Sequence, residues 1–115
     1  MRVINYVLIY KKQILNIVKS IIENNKKQFY ELQNSCSIRF EDVLREMKEY
    51  GEVHFIQIPD EGFGLAYVYD VSNNKKRIEL PLWTEEEGVS DLYIYFICSY
   101  GDNKKEIEVY DIHVP

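Results

Sequence analysis

Three carboxylates in a row, Glu85, Glu86 and Glu87, follow the chain's only tryptophan, Trp83, and a fourth acid, Asp91, comes soon after. Adjacent carboxylates repel one another, and a cation or a basic protein surface relieves that repulsion. Tryptophan supplies the large, rigid contact area that anchors many protein interfaces. Leu80-Pro81-Leu82-Trp83-Thr84-Glu85-Glu86-Glu87-Gly88 therefore has the make-up of a surface that grips something basic. The same stretch has a structural meaning. Thr84 followed by Glu87 fits a capping box, which predicts a helical turn between strands with acids at its positive end.

A second constellation is Asp111-Ile112-His113. On a strand these two polar side chains share a face, and a carboxylate beside an imidazole orients it for general-base work. The nucleophile would be Ser99 or Cys98, yet neither a Gly-x-Ser-x-Gly elbow nor a papain-type cysteine context is present. The pair therefore reads as strand-end hydrogen bonding, and no catalytic residue is assigned. His54 reads as a partly buried strand histidine. Cys36 and Cys98 are far apart in sequence, Cys98 as a small buried hydrophobe, and no zinc or cofactor motif forms around them. Asp60, Asp70, Asp102 and Asp111 are scattered and make no calcium loop. The expectation is a protein without metal or cofactor.

Ten tyrosines occur among 115 residues, and Tyr67, Tyr69, Tyr93, Tyr95, Tyr100 and Tyr110 all fall in the second half. Strand alternation cannot hide all of them beneath two helices, so a tyrosine-rich sheet face ringed by acids is expected to contact protein. A formal net charge of −5 argues against nucleic acid, which needs clustered Lys and Arg.

The elements that must position these groups follow from periodicity. Val7, Leu8, Ile14, Val18, Ile21, Ile22, Phe29 and Leu32 lie near a 3.6-residue repeat, predicting a helix over about 4–32 with a weak point at Asn24-Asn25. Ser37 is the expected N-cap of a second helix over about 38–50, with Phe40, Val43, Leu44 and Met47 inward and a left-handed Gly51 at its end. From about 52 to 114 the period is two. Strands are expected at Val53–Ile58, Leu65–Val71, Ile78–Leu82, Leu92–Cys98 and Ile107–Val114, with turns at Pro59–Gly62, Ser72–Lys75 and Gly101–Asn103. Pro81 marks a strand end or edge, and a phase slip at Tyr110-Asp111 marks a β-bulge. Residues 1–115 are expected to form a single α+β domain. Its two N-terminal helices should pack on one face of a five-stranded, mostly antiparallel, curved sheet, in the order ααβββββ. Val3 to Tyr10 is too short to span a bilayer and Lys11-Lys12 follows at once, so it is read as part of the fold, with neither an export signal nor a membrane anchor.

The motif Leu-Trp-Thr-Glu-Glu-Glu-Gly-x-Ser-Asp-Leu at 82–92, with the ending Asp-Ile-His-Val at 111–114, resembles a small bacterial α+β domain family. That resemblance covers the C-terminal third, implies an α+β fold and brings no catalytic residues. In size, acidity and texture the whole chain is similar to the immunity proteins of contact-dependent growth inhibition and related polymorphic toxin systems. This likeness implies a cytoplasmic, non-enzymatic protein that neutralises a cognate toxin, a basic nuclease foremost. Its contact residues would be Trp83, Glu85, Glu86, Glu87, Asp91, Tyr93 and Tyr95. A cone-shaped fold resembling nuclear transport factor 2, with Tyr67, Asp111 and His113 at its mouth, is the alternative. A homodimer through the tyrosine face is the third reading.

Overall fold

The 3.6-residue repeat of the first third does form helix, but in three pieces: α1 (Val3–Ile9), α2 (Lys11–Ile22) and α3 (Lys26–Glu31). The computed structural model describes residues 3–72, 74–101 and 104–115, with side chains from Tyr6 onward. The continuous helix expected over 4–32 is thus corrected at two points. At the anticipated weak point Asn24 takes a left-handed φ of 55°, and Asn25 caps α3 by accepting the Gln28 N–H at 3.1 Å. The break at Tyr10 carries no sequence signal. Tyr10 leaves the helical path and turns inward, where its fully buried hydroxyl donates to the Ser99 carbonyl at 2.9 Å. The bend resets the helical phase, so Ile17 enters the core while Leu8 and Ile22 stay exposed.

Helix α4 (Phe40–Tyr50) begins after Arg39, not after Ser37. The Phe40 N–H instead donates to the Tyr30 hydroxyl at 2.8 Å, a cap supplied from another helix, while Ser37 reaches Glu108. Gly51 does end α4, but in an extended positive-φ conformation (φ 156°, ψ 175°) rather than the left-handed helical one.

The remainder is a curled antiparallel sheet of five strands, and the fold is α+β: β1 (Phe55–Ile56), β2 (Tyr67–Ser72), β3 (Lys75–Thr84), β4 (Gly88–Gly101) and β5 (Lys104–His113). The expected strand Val53–Ile58 shrinks to two residues, and a 3-10 helix, Asp60–Leu65, replaces the turn after it. The turns at Ser72–Lys75 and Gly101–Asn103 include Asn73, Asp102 and Asn103, which lie outside the described residues. The strands on either side of each turn pair as antiparallel neighbours. Strand β4 is paired on both sides. The other side of β3 is shared: β1 pairs with it at Trp83 and Thr84, and β2 from Lys75 to Glu79. Pro81 falls in the interval between them. It is therefore not at a strand end, but at a local edge, where no strand pairs with β3 on that side.

The bulge near Tyr110 is present: Tyr95 pairs with Asp111, while Phe96 pairs with Val109. The extra residue returns Ile112 to the face of Ile107 and Val109, and all three are buried. Together with Ile78, Leu80, Leu92, Ile94, Phe96 and Cys98 they form one core with Val7, Tyr10, Ile14, Ile17, Val18, Ile21, Phe29, Phe40 and Val43 of the helices. The outer edge of β5 is capped at Val109. The buried Gln33 side chain accepts the Val109 N–H at 2.6 Å and donates to the Phe29 carbonyl at 2.7 Å.

Gly62 of the 3-10 helix lies against Trp83. A Cβ there would sit 2.7 Å from Ile58 Cγ2 and 2.8 Å from the indole Nε1. Gly62→Ala is expected to destabilise the fold by about 1–3 kcal/mol through overpacking. Gly64→Ala, whose Cβ would meet nothing within 4 Å, serves as the control, and denaturant titration of the two variants checks the contrast.

Candidate functional site

The acidic stretch is the tip of the β3–β4 hairpin. Thr84 pairs with Gly88 across it, and Gly88 adopts the positive φ of 76° that glycine tolerates at the end of a tight loop. Thr84 closes the loop: its hydroxyl accepts the Glu87 N–H at 3.0 Å and lies 3.3 Å from the Glu87 carboxylate. The anticipated Thr84–Glu87 interaction is therefore present, but it closes a hairpin turn and no helical turn forms.

Two of the three carboxylates accept hydrogen bonds from remote segments of the chain. The Tyr50 hydroxyl, from the end of α4, donates to Glu87, 2.8 Å from Oε2 and 3.0 Å from Oε1, and accepts the Asp91 N–H at 3.0 Å. Glu86 accepts the His54 N–H at 2.8 Å and holds His54 Nδ1 at 2.6 Å, while the Glu85 N–H donates to the His54 carbonyl at 2.9 Å. The segment leading from α4 into β1 is thus latched to the hairpin tip. His54 is exposed rather than a strand residue among apolar neighbours, and its position beside Glu86 corrects the sequence expectation. The bond to Glu86, then the charges of Glu86 and Glu85, raise the His54 pKa above its ordinary 6.5. The His54 N–H and imidazole lower that of Glu86 below 4.5. Glu85, Glu86, Glu87 and Asp91 are all exposed; Glu85 Oε2 lies 3.9 Å from His54 Nδ1 without a side-chain hydrogen bond to it.

The aromatic groups divide. Trp83 is half-buried beneath Gly62 and packs against the core, with its indole Nε1 buried and unpartnered. Tyr95 is only 6% exposed and stacks on His113 with ring centroids 4.4 Å apart. Neither presents an open contact surface. The register sets Tyr67 beside Glu79 and Tyr95, and Tyr69 beside Arg77 and Ile97, so these tyrosines share the sheet face opposite the core, as does Tyr93 beside Pro81. Tyr67 and Tyr69 are 55% and 45% exposed, and Tyr93 is half-buried. Arg77 lies over the Tyr69 ring, 4.8 Å from its centroid, with Nε 2.8 Å from Glu79 Oε2, an ion pair whose angle is too poor for a hydrogen bond.

Asp111 and His113 do meet, at 3.0 Å, on this same outer face. Both are partly exposed there, and Cys98, whose thiol burial pushes well above its ordinary pKa, lies on the opposite, core-facing side. Ser99 pairs with Glu106, four residues along β4 from Tyr95, the partner of Asp111. Neither candidate nucleophile thus lies beside the dyad, and the opposite face of the sheet packs into the common core. Cys36 and Cys98 are free thiols, and among the described residues no helix is long and apolar enough to cross a membrane.

Between Gly64–Tyr67 and Val89–Tyr93 runs an open groove of about 420 Å³. Leu65 and Val89 were not identified from sequence as site residues, because only the interval between β1 and β2 brings them together. Tyr50 and His54 were missed as partners of the acids for a similar reason: the contacts span 32 to 41 positions of sequence and leave no local pattern.

Residues 18–115 match the model of a family described as a domain of unknown function, DUF7668, and the chain belongs to that family. No curated protein and no solved structure matches it significantly.

The latch has a defined pH window. The Glu86 anion contributes above pH 4.5 and is lost as pH falls through its lowered pKa. The His54 cation contributes below pH 6.5 and is lost as pH rises through its raised pKa. In an NMR titration the His54 imidazole should have its midpoint above 6.5 and return toward that value in Glu86→Gln. An identical midpoint in both proteins would show that the pair does not form in solution. Tyr50→Phe, which deletes the hydroxyl shared by Glu87 and Asp91, is expected to cost about 1 kcal/mol in denaturant unfolding.

Proposed function

We propose that the chain is a binding protein of the immunity type, which neutralises a basic protein toxin, a nuclease foremost, by covering its active or substrate-binding surface. The observation that carries this reading is the division of the sheet into two unlike faces. One side is packed with apolar residues of the common core, and the other carries exposed tyrosines next to exposed acids. In the finer arrangement that we favour, the N-terminal helices cover the apolar face, which leaves the tyrosine face and the hairpin tip for the partner. Recognition is steric and electrostatic and needs no cofactor, and the compartment is the cytoplasm, where Cys36 and Cys98 stay reduced.

Within the acidic surface, Glu85 and Asp91 are the carboxylates that meet the partner, with Tyr93 and Tyr67 as aromatic contacts. Glu86 and Glu87 act mainly by holding the tip in place, Trp83 by supporting it from below, and Tyr95 by packing beneath His113. Opposite fields on the two proteins accelerate encounter, and this acceleration is screened by salt.

The test is capture from lysates of the source cells on the immobilised chain, with mass spectrometry of what is retained. Retention of one basic protein is expected. Glu85→Lys combined with Asp91→Lys should slow its association about tenfold at low salt and less at high salt. Association that is indifferent to both the charge reversal and the salt, in a folded variant, would overturn the electrostatic reading.

A further inference from the structure

The groove across the outer face is chemically one-sided. Among the residues that line it are the tyrosines Tyr67 and Tyr93, the aliphatic Leu65 and Val89 and the acid Asp91, and no lysine or arginine lines it. An aromatic face attracts a cation through its quadrupole, a carboxylate through its charge, and aliphatic walls suit a methylene stem. The same sheet face already holds one guanidinium in this manner: Arg77 lies 4.8 Å from the Tyr69 centroid and 2.8 Å from Glu79. That intramolecular pair involves a neighbouring tyrosine and a neighbouring acid, so Asp91, Tyr67 and Tyr93 present an equivalent set of groups outward.

We propose that this groove is the receptor for an arginine side chain of the partner protein. The stem lies along Leu65 and Val89, and the guanidinium lies against the tyrosine rings and pairs with Asp91. This deepens the reading of a basic partner, on which it rests. Arginine fits better than lysine because its planar, weakly hydrated head can stack and bond a carboxylate at once, whereas an ammonium is a strongly hydrated point charge. At about 420 Å³ the groove has room for one such side chain, and it is open enough to admit one projecting from a protein surface.

The test is an NMR titration of the full chain with N-acetyl-arginine methylamide, alongside the corresponding citrulline and lysine compounds. Saturable, millimolar arginine binding is expected, with shifts at Leu65, Tyr67, Val89, Asp91 and Tyr93. Citrulline should bind at least fivefold more weakly, lysine should be weaker than arginine, and Asp91→Asn should remove most of the difference between arginine and citrulline. Because Asp91 is exposed, that variant keeps the fold, which the unchanged remainder of the spectrum verifies. Equal shifts with citrulline, equal binding of lysine, or arginine shifts confined to Glu85–Glu87 would each overturn the proposal. The outcome is separable from that of the basic-partner reading. Capture of a basic protein without arginine shifts discards the groove alone, whereas arginine-selective shifts without a captured protein keep the groove and discard the toxin partner.

Discussion

The backbone of β3 imposes the constraint from which the outer surface follows. One of its sides is paired along β4, but the other is shared by two separate short strands, β1 near Trp83 and β2 up to Glu79. Between them stands Pro81, which has no N–H to satisfy, so the chain can leave the sheet there without stranding a buried donor. The interval is spanned by the 3-10 helix, whose Gly62 lets it approach the Trp83 indole closely. That helix delivers Gly64, Leu65 and Ala66 opposite Val89 and Asp91, and the groove results. A continuous strand in place of β1, the 3-10 helix and β2 would pair along the interval and close it.

A second consequence concerns charge. Glu85, Glu86 and Glu87 lie together at one hairpin tip, yet the fold distributes them among different tasks. Glu87 is held by Tyr50, and Glu86 by His54, so their charges partly serve to tie the approach to β1 onto the hairpin. These are exposed contacts, and each is worth little by itself. Their value is positional, because together they set where Glu85 and Asp91 project. The tyrosines are divided in the same way. Tyr10 and Tyr95 are structural, and Tyr67 and Tyr69 remain in solvent.

How much of this was legible in the sequence differs from element to element. The α+β class, the antiparallel strands, the bulge at Tyr110 and the weakness at Asn24-Asn25 were readable, because each depends on local period or on a residue with a restricted or permissive backbone. The break at Tyr10 was not, since what stabilises it is a hydrogen bond to Ser99 from 89 positions away. The N-cap of α4 was misplaced for the same reason: Tyr30 displaces the local candidate Ser37. Trp83 is indistinguishable in sequence from an exposed anchor, and only the contact with Gly62 turns it into a supporting residue.

Composition and periodicity by themselves determined that this chain carries an apolar sheet face to be covered, an acidic turn between two strands and more tyrosines than a small core can hold. Those properties are sums over residues or repeats along the chain, so they survive without knowledge of distant contacts. Tertiary structure alone decided which acids are hydrogen-bonded to remote segments, which tyrosines are buried, and that Leu65 and Val89 line one groove. Each of these depends on strand register and on hydrogen bonds between segments remote in sequence, and a one-residue shift in register would reverse the face on which every side chain stands.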